Sequence, residues 1–179
     1  MNKFTIAMDI DDICAKLMDE WLKRYNADYK DRLTERDILG WGVAKFVKPE
    51  CGNRMYEYLH DPTIYDDVKV TRGALEGIKE LRRMGHRVVF VTATAMGSAG
   101  RKFKWLNDNG FSVELKDYAE ITDKSLIRAD FMFDDRYDNV KTFIGTAVLM
   151  TRPWNKNEVY PIRVTSWKEF LNIVRKATK

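Results

Sequence analysis

The chain has 179 residues, 45% of them hydrophobic, which suits one well-buried domain or one domain carrying a small insertion. It holds no apolar run of about 18 residues that would span a membrane, and 1-MNKFTIAMDI passes straight into a strand pattern that leaves no room for a secretory leader. The net charge of +4 is dispersed and the two cysteines, Cys14 and Cys51, make no disulfide framework, so the expectation is a cytoplasmic protein with a small anionic partner, no membrane and no stable nucleic-acid complex.

In chain order, residues 4–9 read as a buried strand that runs into three acids, 9-DIDD-12. Residues 13–26 place Ile13, Leu17, Trp21 and Tyr25 on one face of a helix. From about 28 to 70 the pattern loosens. Within it, 34-TERD-37 has the form of a capping box closed by Asp37, 40-GWG-42 marks a turn, and a helix is predicted over 49–60 before Asp61 and Pro62. From 71 the rhythm is regular: a helix ending at Gly85, the strand RVVFVTA, and a second helix over 97–110 closed by Gly110. Short strands are expected near 112–115 and 119–122, then ADFMFDD and TAVLM as strands, and a last helix over 166–179 with Ser166 as cap and Glu169 three residues on.

Continuous apolar strands separated by helices predict a parallel sheet covered on both faces, which binds ligands beyond the carboxyl ends of its strands. Those ends carry 9-DIDD-12, 91-VTAT-94, 122-TDK-124 and 134-DDR-136. Asp9 and Asp11, two apart, point the same way from extended backbone, and Asp134 arrives from another strand. Grouped carboxylates repel and raise one another's pKa, a penalty that a hard divalent cation such as Mg²⁺ removes. The hydroxyl of Thr92 and the ammonium of Lys124 are donors, which suit an anion with several oxygens; phosphate fits. A carboxylate not committed to the metal can attack phosphorus while its neighbour shuttles the proton. Taken singly the same residues are ordinary: Asp134 and Asp135 can cap a helix near Asp138, Thr92 is a good strand residue, and Lys124 a surface lysine. Cys14 reads as a small buried hydrophobe, and His60 and His86 make no metal set.

The combination of "DID" at 9–11, "VTA" at 91–93, Lys124 and "FMFDD" at 131–135 resembles the haloacid dehalogenase-like phosphatases over almost the whole chain. Within them, 123-DKSLIRADFMFDDR-136, 102-KFKWL-106 and 152-RPWN-155 resemble the 5'(3')-deoxyribonucleotidases. The resemblance implies an α/β fold of three layers, a Rossmann-like parallel sheet (residues 1–13 and 71–179) with a small helical cap (14–70) inserted after the first strand. It implies a Mg²⁺-dependent phosphatase that removes phosphate from deoxyribonucleoside monophosphates. Asp9 is then the nucleophile that forms an aspartyl-phosphate. Asp11 protonates the leaving alkoxide, activates the water and gives its backbone carbonyl to the ion. Thr92, Ala93 and Lys124 bind the phosphoryl group. Asp9, Asp11 and Asp134 hold Mg²⁺, and Asp135 supports them through a metal-bound water. Trp41, Phe46 and Trp154 are candidates to stack on a base, and Arg136 to reach the base or the phosphate. A homodimer is compatible with the family.

Two positions depart from the family pattern: Asp12 stands where glycine is common, and Ala93 where the deoxyribonucleotidases often have serine. Thr94 or a backbone amide is left to supply the phosphate contact. Rival readings share the acids. In a phosphorelay receiver the acidic pair, phosphoacceptor, threonine and lysine come from successive strands in that order, whereas here the lysine precedes the second acidic pair and an insertion follows the first strand. A phosphatase of polynucleotide ends needs a longer basic groove than 82-RR-83 and 101-RKFK-104 provide. A phosphatase of another small ester has the same chemistry, and a catalytically silent nucleotide-binding module would have lost one of Asp9, Asp11 or Lys124.

Overall fold

The computed structural model describes residues 2–95 and 100–179. Its six strands, β1 (Thr5–Met8), β2 (Arg87–Thr92), β3 (Tyr118–Glu120), β4 (Phe131–Asp134), β5 (Thr146–Met150) and β6 (Arg163–Val164), form one sheet in the order β3-β2-β1-β4-β5-β6. Every pairing is parallel. The chain winds outward from β1 in both directions, so the order reverses at the β1–β4 pair, the place where such sheets leave a crevice.

Successive side chains of a strand face opposite sides, and β1 shows both sides buried. Ile6 and Met8 pack with one cluster, and Ala7 packs with another. The first cluster takes Ile78 and Leu81 from α2 (Ala74–Arg83), Trp105 and Leu106 from α3 (Arg101–Asp108), and Phe170 and Val174 from α5 (Trp167–Thr178). The second takes Val140 from α4 (Tyr137–Thr142), with Met132, Ala147 and Leu149 from the sheet. The result is the expected three-layer α/β arrangement. Helices α2 and α5 approach closely because residue 77 is glycine: a Cβ there would lie 2.3 Å from the Trp167 ring. The Trp167 indole also donates to the Ile13 carbonyl at 2.9 Å, fastening α5 beneath the loop that follows β1.

A third cluster lies apart, built from Met18, Trp21, Leu22 and Tyr25 of α1 (Leu17–Tyr29) with Ile38, Val43, Cys51 and Met55, and it also takes in Trp154. Ile64, Tyr65 and Val68 pack instead with the sheet core. The capping box at 34–37 is present: the Asp37 carboxylate accepts from the Thr34 amide and hydroxyl, both at 2.8 Å. So is the cap of α5, where the Ser166 hydroxyl accepts from the Glu169 amide.

Several elements differ from the sequence reading. The first helix starts at Leu17, because Asp12 takes a left-handed backbone (φ 54°) and the Cys14 and Ala15 amides fold back onto the Ile10 carbonyl at 2.8 Å. Ile13 is buried from that turn. The segment predicted as a helix over 49–60 is a 3₁₀ helix at Gly52–His60, preceded by a turn. Residues 112–115 form no strand; Ser112 has φ 51° and Leu115–Asp117 is a 3₁₀ turn. The two-residue β6 was not expected. Residues 97–99 of the predicted second helix lie outside the described residues, and the described part runs Arg101–Asp108.

Candidate active site

The parallel register collects the acids. Met8 pairs with Phe133 in one direction and with Phe90 in the other, so Asp9 stands level with Asp134 and one residue short of Thr92. The Asp9 amide continues the ladder by donating to the Phe133 carbonyl at 3.0 Å. All three side chains are buried at the carboxyl ends of adjacent strands.

Lys124 is the charge that meets them. It lies not on a strand but at the start of a single 3₁₀ turn, Lys124–Leu126, set by Asp123, whose carboxylate accepts from the Ser125 amide. Its ammonium donates to Asp9 Oδ1 at 2.6 Å and to Asp134 Oδ2 at 2.7 Å. Burial alone would lower the lysine's pKa, but the Asp134 and Asp9 carboxylates more than reverse that and hold it above its ordinary value. Asp134 is held further by the Arg136 amide at 2.8 Å and the Asn139 side-chain amide at 3.0 Å.

One ammonium does not balance the site. Asp9, Asp134 and Asp135 bring carboxylate oxygens within 4.8 Å of one another, and all three residues are buried. Burial pushes the Asp9 carboxyl well up; Lys124 opposes this, and Asp134, Asp11 and Asp135 add to it. Asp135 is likewise pushed well up, by burial first and then by Asp134. Converging oxygen donors with excess negative charge are the ligand set of a hard divalent cation, so the residues fit the ion that the sequence called for. Asp135 thus belongs to the carboxylate cluster itself. Its Oδ2 accepts from the Trp154 indole at 2.8 Å, and its carbonyl from Asn155 Nδ2 at 2.6 Å. The stretch 152-RPWN-155 is therefore a brace beneath Asp135, and Trp154, 4% exposed, is in no position to stack on a base.

Asp11 lies beyond the end of β1, in an isolated bridge to Ala15, and faces the same cavity as Asp9. Its carboxylate is held by two residues that the sequence reading did not place in the site. Lys102 Nζ donates to Oδ2 at 2.6 Å, and the buried Tyr65 hydroxyl donates to Oδ1. Lys102 also donates to Thr92 Oγ1 at 2.9 Å and to the Ala93 carbonyl. A signal for it was present: a lysine three and four residues before Trp105 and Leu106 shares their buried face.

Asp12 explains its own departure. The position needs φ 54°, where glycine is favoured and aspartate is among the few residues that tolerate it. Its carboxylate then accepts from the Met18 amide at 3.1 Å, satisfying one of the free amides in the first turn of α1. At 93, alanine leaves the neighbouring Thr94 hydroxyl buried without a partner among the described residues, and Thr94 lines the cavity.

That cavity, about 310 Å³, opens over the carboxylates. Asp9, Asp11 and Lys124 form its floor, and Trp41, Arg136 and Tyr56 stand among its walls. Trp41 is 52% exposed and stacks under the Arg136 guanidinium, 4.8 Å from its ring centroid. Phe46 is not among the lining residues and packs against the third apolar cluster.

The family described as "5' nucleotidase, deoxy (Pyrimidine), cytosolic type C protein" matches residues 3–179. A 5'(3')-deoxyribonucleotidase from Clostridium acetobutylicum is 32% identical over 169 residues, covering 94% of this chain and 93% of that protein. A 5'(3')-deoxyribonucleotidase from Bacillus subtilis is 32% identical over 168 residues, covering 93% and 96%. Among solved structures, a HAD family hydrolase from Deinococcus radiodurans R1 with bound phosphate and sodium superposes with a TM-score of 0.62 at 12% identity, covering 97% of this chain and 95% of that one. At that identity the likeness establishes the fold.

Proposed function

We propose that this chain, which belongs to the cytosolic type C family of deoxy (pyrimidine) 5'-nucleotidases within the haloacid dehalogenase-like hydrolases, is a Mg²⁺-dependent 5'(3')-deoxyribonucleotidase. The observation that carries the reading is the Lys124 ammonium shared between Asp9 and Asp134 on the floor of a cavity walled by an aromatic ring and a guanidinium. Residues 14–70 serve as the cap over the strand ends.

Asp9 attacks phosphorus. The Asp9 O–P bond forms as the ester P–O bond breaks, and Asp11 gives its proton to the departing sugar oxygen. Asp11, now a carboxylate, takes a proton from water, and that water attacks the aspartyl-phosphate. The Asp9 O–P bond then breaks, releasing inorganic phosphate and restoring both acids. Lys124 and the Thr92 and Thr94 hydroxyls hold phosphoryl oxygens, with the backbone at Ala93 lining the same wall. Asp9, Asp134 and Asp135, with the Asp11 carbonyl, are the residues that would hold Mg²⁺, which when bound neutralises the carboxylates and the phosphoryl charge. Arg136 and Trp41 meet the nucleoside.

A panel of nucleoside and sugar monophosphates, assayed for phosphate release, tests this. Deoxyribonucleoside monophosphates should be preferred, and a chelator should stop turnover until Mg²⁺ is restored. Preference for sugar phosphates, or activity indifferent to chelator, would overturn the substrate or the metal assignment respectively.

The cavity wall gives a second expectation. Base–aromatic stacking is worth roughly 1–3 kcal/mol, so Trp41→Ala should raise KM for nucleoside monophosphates by roughly five- to 150-fold. The KM for p-nitrophenyl phosphate, which has no base or sugar, should hardly move. Equal loss on both substrates would assign Trp41 to packing.

A further inference from the structure

We infer that Lys102 is a positioning residue for proton transfer: it locks the Asp11 carboxylate in place by anchoring it to the Thr92–Ala93 turn. The inference rests on Asp11 being the acid/base of the proposed reaction.

Two buried lysines serve this site, and their hydrogen bonding separates them. An ammonium has three N–H donors. Lys102 uses all three: on Asp11 Oδ2 at 2.6 Å, on Thr92 Oγ1 at 2.9 Å and on the Ala93 carbonyl. Nothing remains for a substrate, and Lys102 is not among the residues lining the cavity. Lys124 has two acceptors, Asp9 and Asp134, and does line the cavity, so it keeps a donor for a phosphoryl oxygen. The two lysines divide the labour: one faces the substrate and the other faces the groups that act on it.

The geometry around Lys102 suits a fixed support. It stands in the first turn of α3, buried on the face that carries Trp105 and Leu106 into the sheet core. Burying an ammonium is costly unless it is paired and hydrogen-bonded, and every partner here is a group of the reaction site. The Tyr65 hydroxyl takes the other oxygen of Asp11, so the carboxylate is gripped from two sides. Thr92 accepts from Lys102 at 2.9 Å, and its own hydroxyl donates to the Ala93 carbonyl at 3.3 Å, an acceptor that a phosphoryl oxygen would replace.

Lys102→Met and Lys102→Gln test this. Misplacement of a reacting group by about 1 Å can cost on the order of 100-fold. Each variant is therefore expected to lose about ten- to 100-fold in kcat on a nucleoside monophosphate, while KM and inhibition by inorganic phosphate stay within about threefold. A crystal structure of Lys102→Met should show the Asp11 carboxylate turned from its wild-type position. Adding Lys102→Met to Asp11→Asn should slow that enzyme by less than about threefold. The inference is overturned if the double variant loses the product of the single effects, or if phosphate inhibition weakens as much as kcat falls, which would make Lys102 a direct ligand. An unmoved Asp11, or failure of both variants to fold, overturns it too. If the wild-type protein releases phosphate from no monoester, the proposed function falls, and the position of Asp11 in the variant crystal still decides the role of Lys102.

Discussion

Asp9→Asn is expected to abolish turnover and phosphoenzyme formation together while leaving the protein folded. The side chain is 8% exposed and its oxygen lies 2.6 Å from the Lys124 ammonium. Asparagine preserves shape and can still present an oxygen to that lysine, but an amide oxygen is a poor nucleophile. Removing the nucleophile of a covalent mechanism costs on the order of 10⁶-fold in a well-studied protease, and a loss near the detection limit is expected here. Stability should move the other way. Burial and the neighbouring carboxylates raise the folded-state pKa of Asp9 above its unfolded value. The stability this group contributes is therefore present at low pH and is lost as pH rises from the unfolded pKa, ~3.9, through the folded one. With metal removed, the buried Asp9 carboxyl becomes a growing burden as pH rises above its unfolded pKa, and Asp9→Asn should melt no lower than wild type at neutral pH. Retained turnover with an intact fold would sink the nucleophile assignment, and a collapsed fold would show that Lys124 needs both of its acids.

What the sequence made legible follows from where its signals are redundant. Asp9, Thr92 and Asp134 could be read because apolar strands end abruptly in polar residues, and a parallel sheet brings such ends together; Lys124, expected at a strand end too, reaches them from a 3₁₀ turn beyond β3. The start of the first helix could not be read. Ile13 continues the spacing of Leu17, Trp21 and Tyr25, yet it is buried from a turn that Asp12 opens with a left-handed residue. Periodicity reports burial, not backbone conformation, and the same ambiguity concealed the 3₁₀ geometry of Gly52–His60; the strand expected near 112–115 fails where Ser112 takes φ 51°. The two residues of β6 are too few to carry a pattern. Within the site, Tyr65 and Lys102 act from a loop and a helix that only tertiary structure brings to Asp11. Trp154 illustrates the opposite error: an aromatic beside a motif suggested base stacking, but its ring is buried in the third apolar cluster, with the indole N–H turned to Asp135.

Asp11→Asn should slow both chemical steps but unequally, and the inequality can be made visible. The substitution keeps the supports, since the asparagine oxygen can still accept from Lys102 and its amide can donate to the Tyr65 oxygen. What it removes is the proton that Asp11 gives to the leaving alkoxide and the basicity that later activates water. General acid–base catalysis is typically worth ~10²–10⁴-fold, and steady-state turnover of a nucleoside monophosphate should fall within that range. With p-nitrophenyl phosphate the leaving group needs no proton, so attack by Asp9 should stay comparatively fast. Hydrolysis of the aspartyl-phosphate needs an activated water whatever left before, so it should remain slow. Phosphate should then accumulate on Asp9 with the aryl substrate and far less with the nucleotide. Rapid acid quench followed by mass spectrometry of the peptide spanning residues 4–16 would locate it. An adduct on any other residue would remove Asp9 from the covalent role. Equal slowing of both substrates with no adduct on Asp9 would mean that Asp11 is needed to form the intermediate even when the leaving group needs no acid, and the assignment of Asp11 as proton donor would fail.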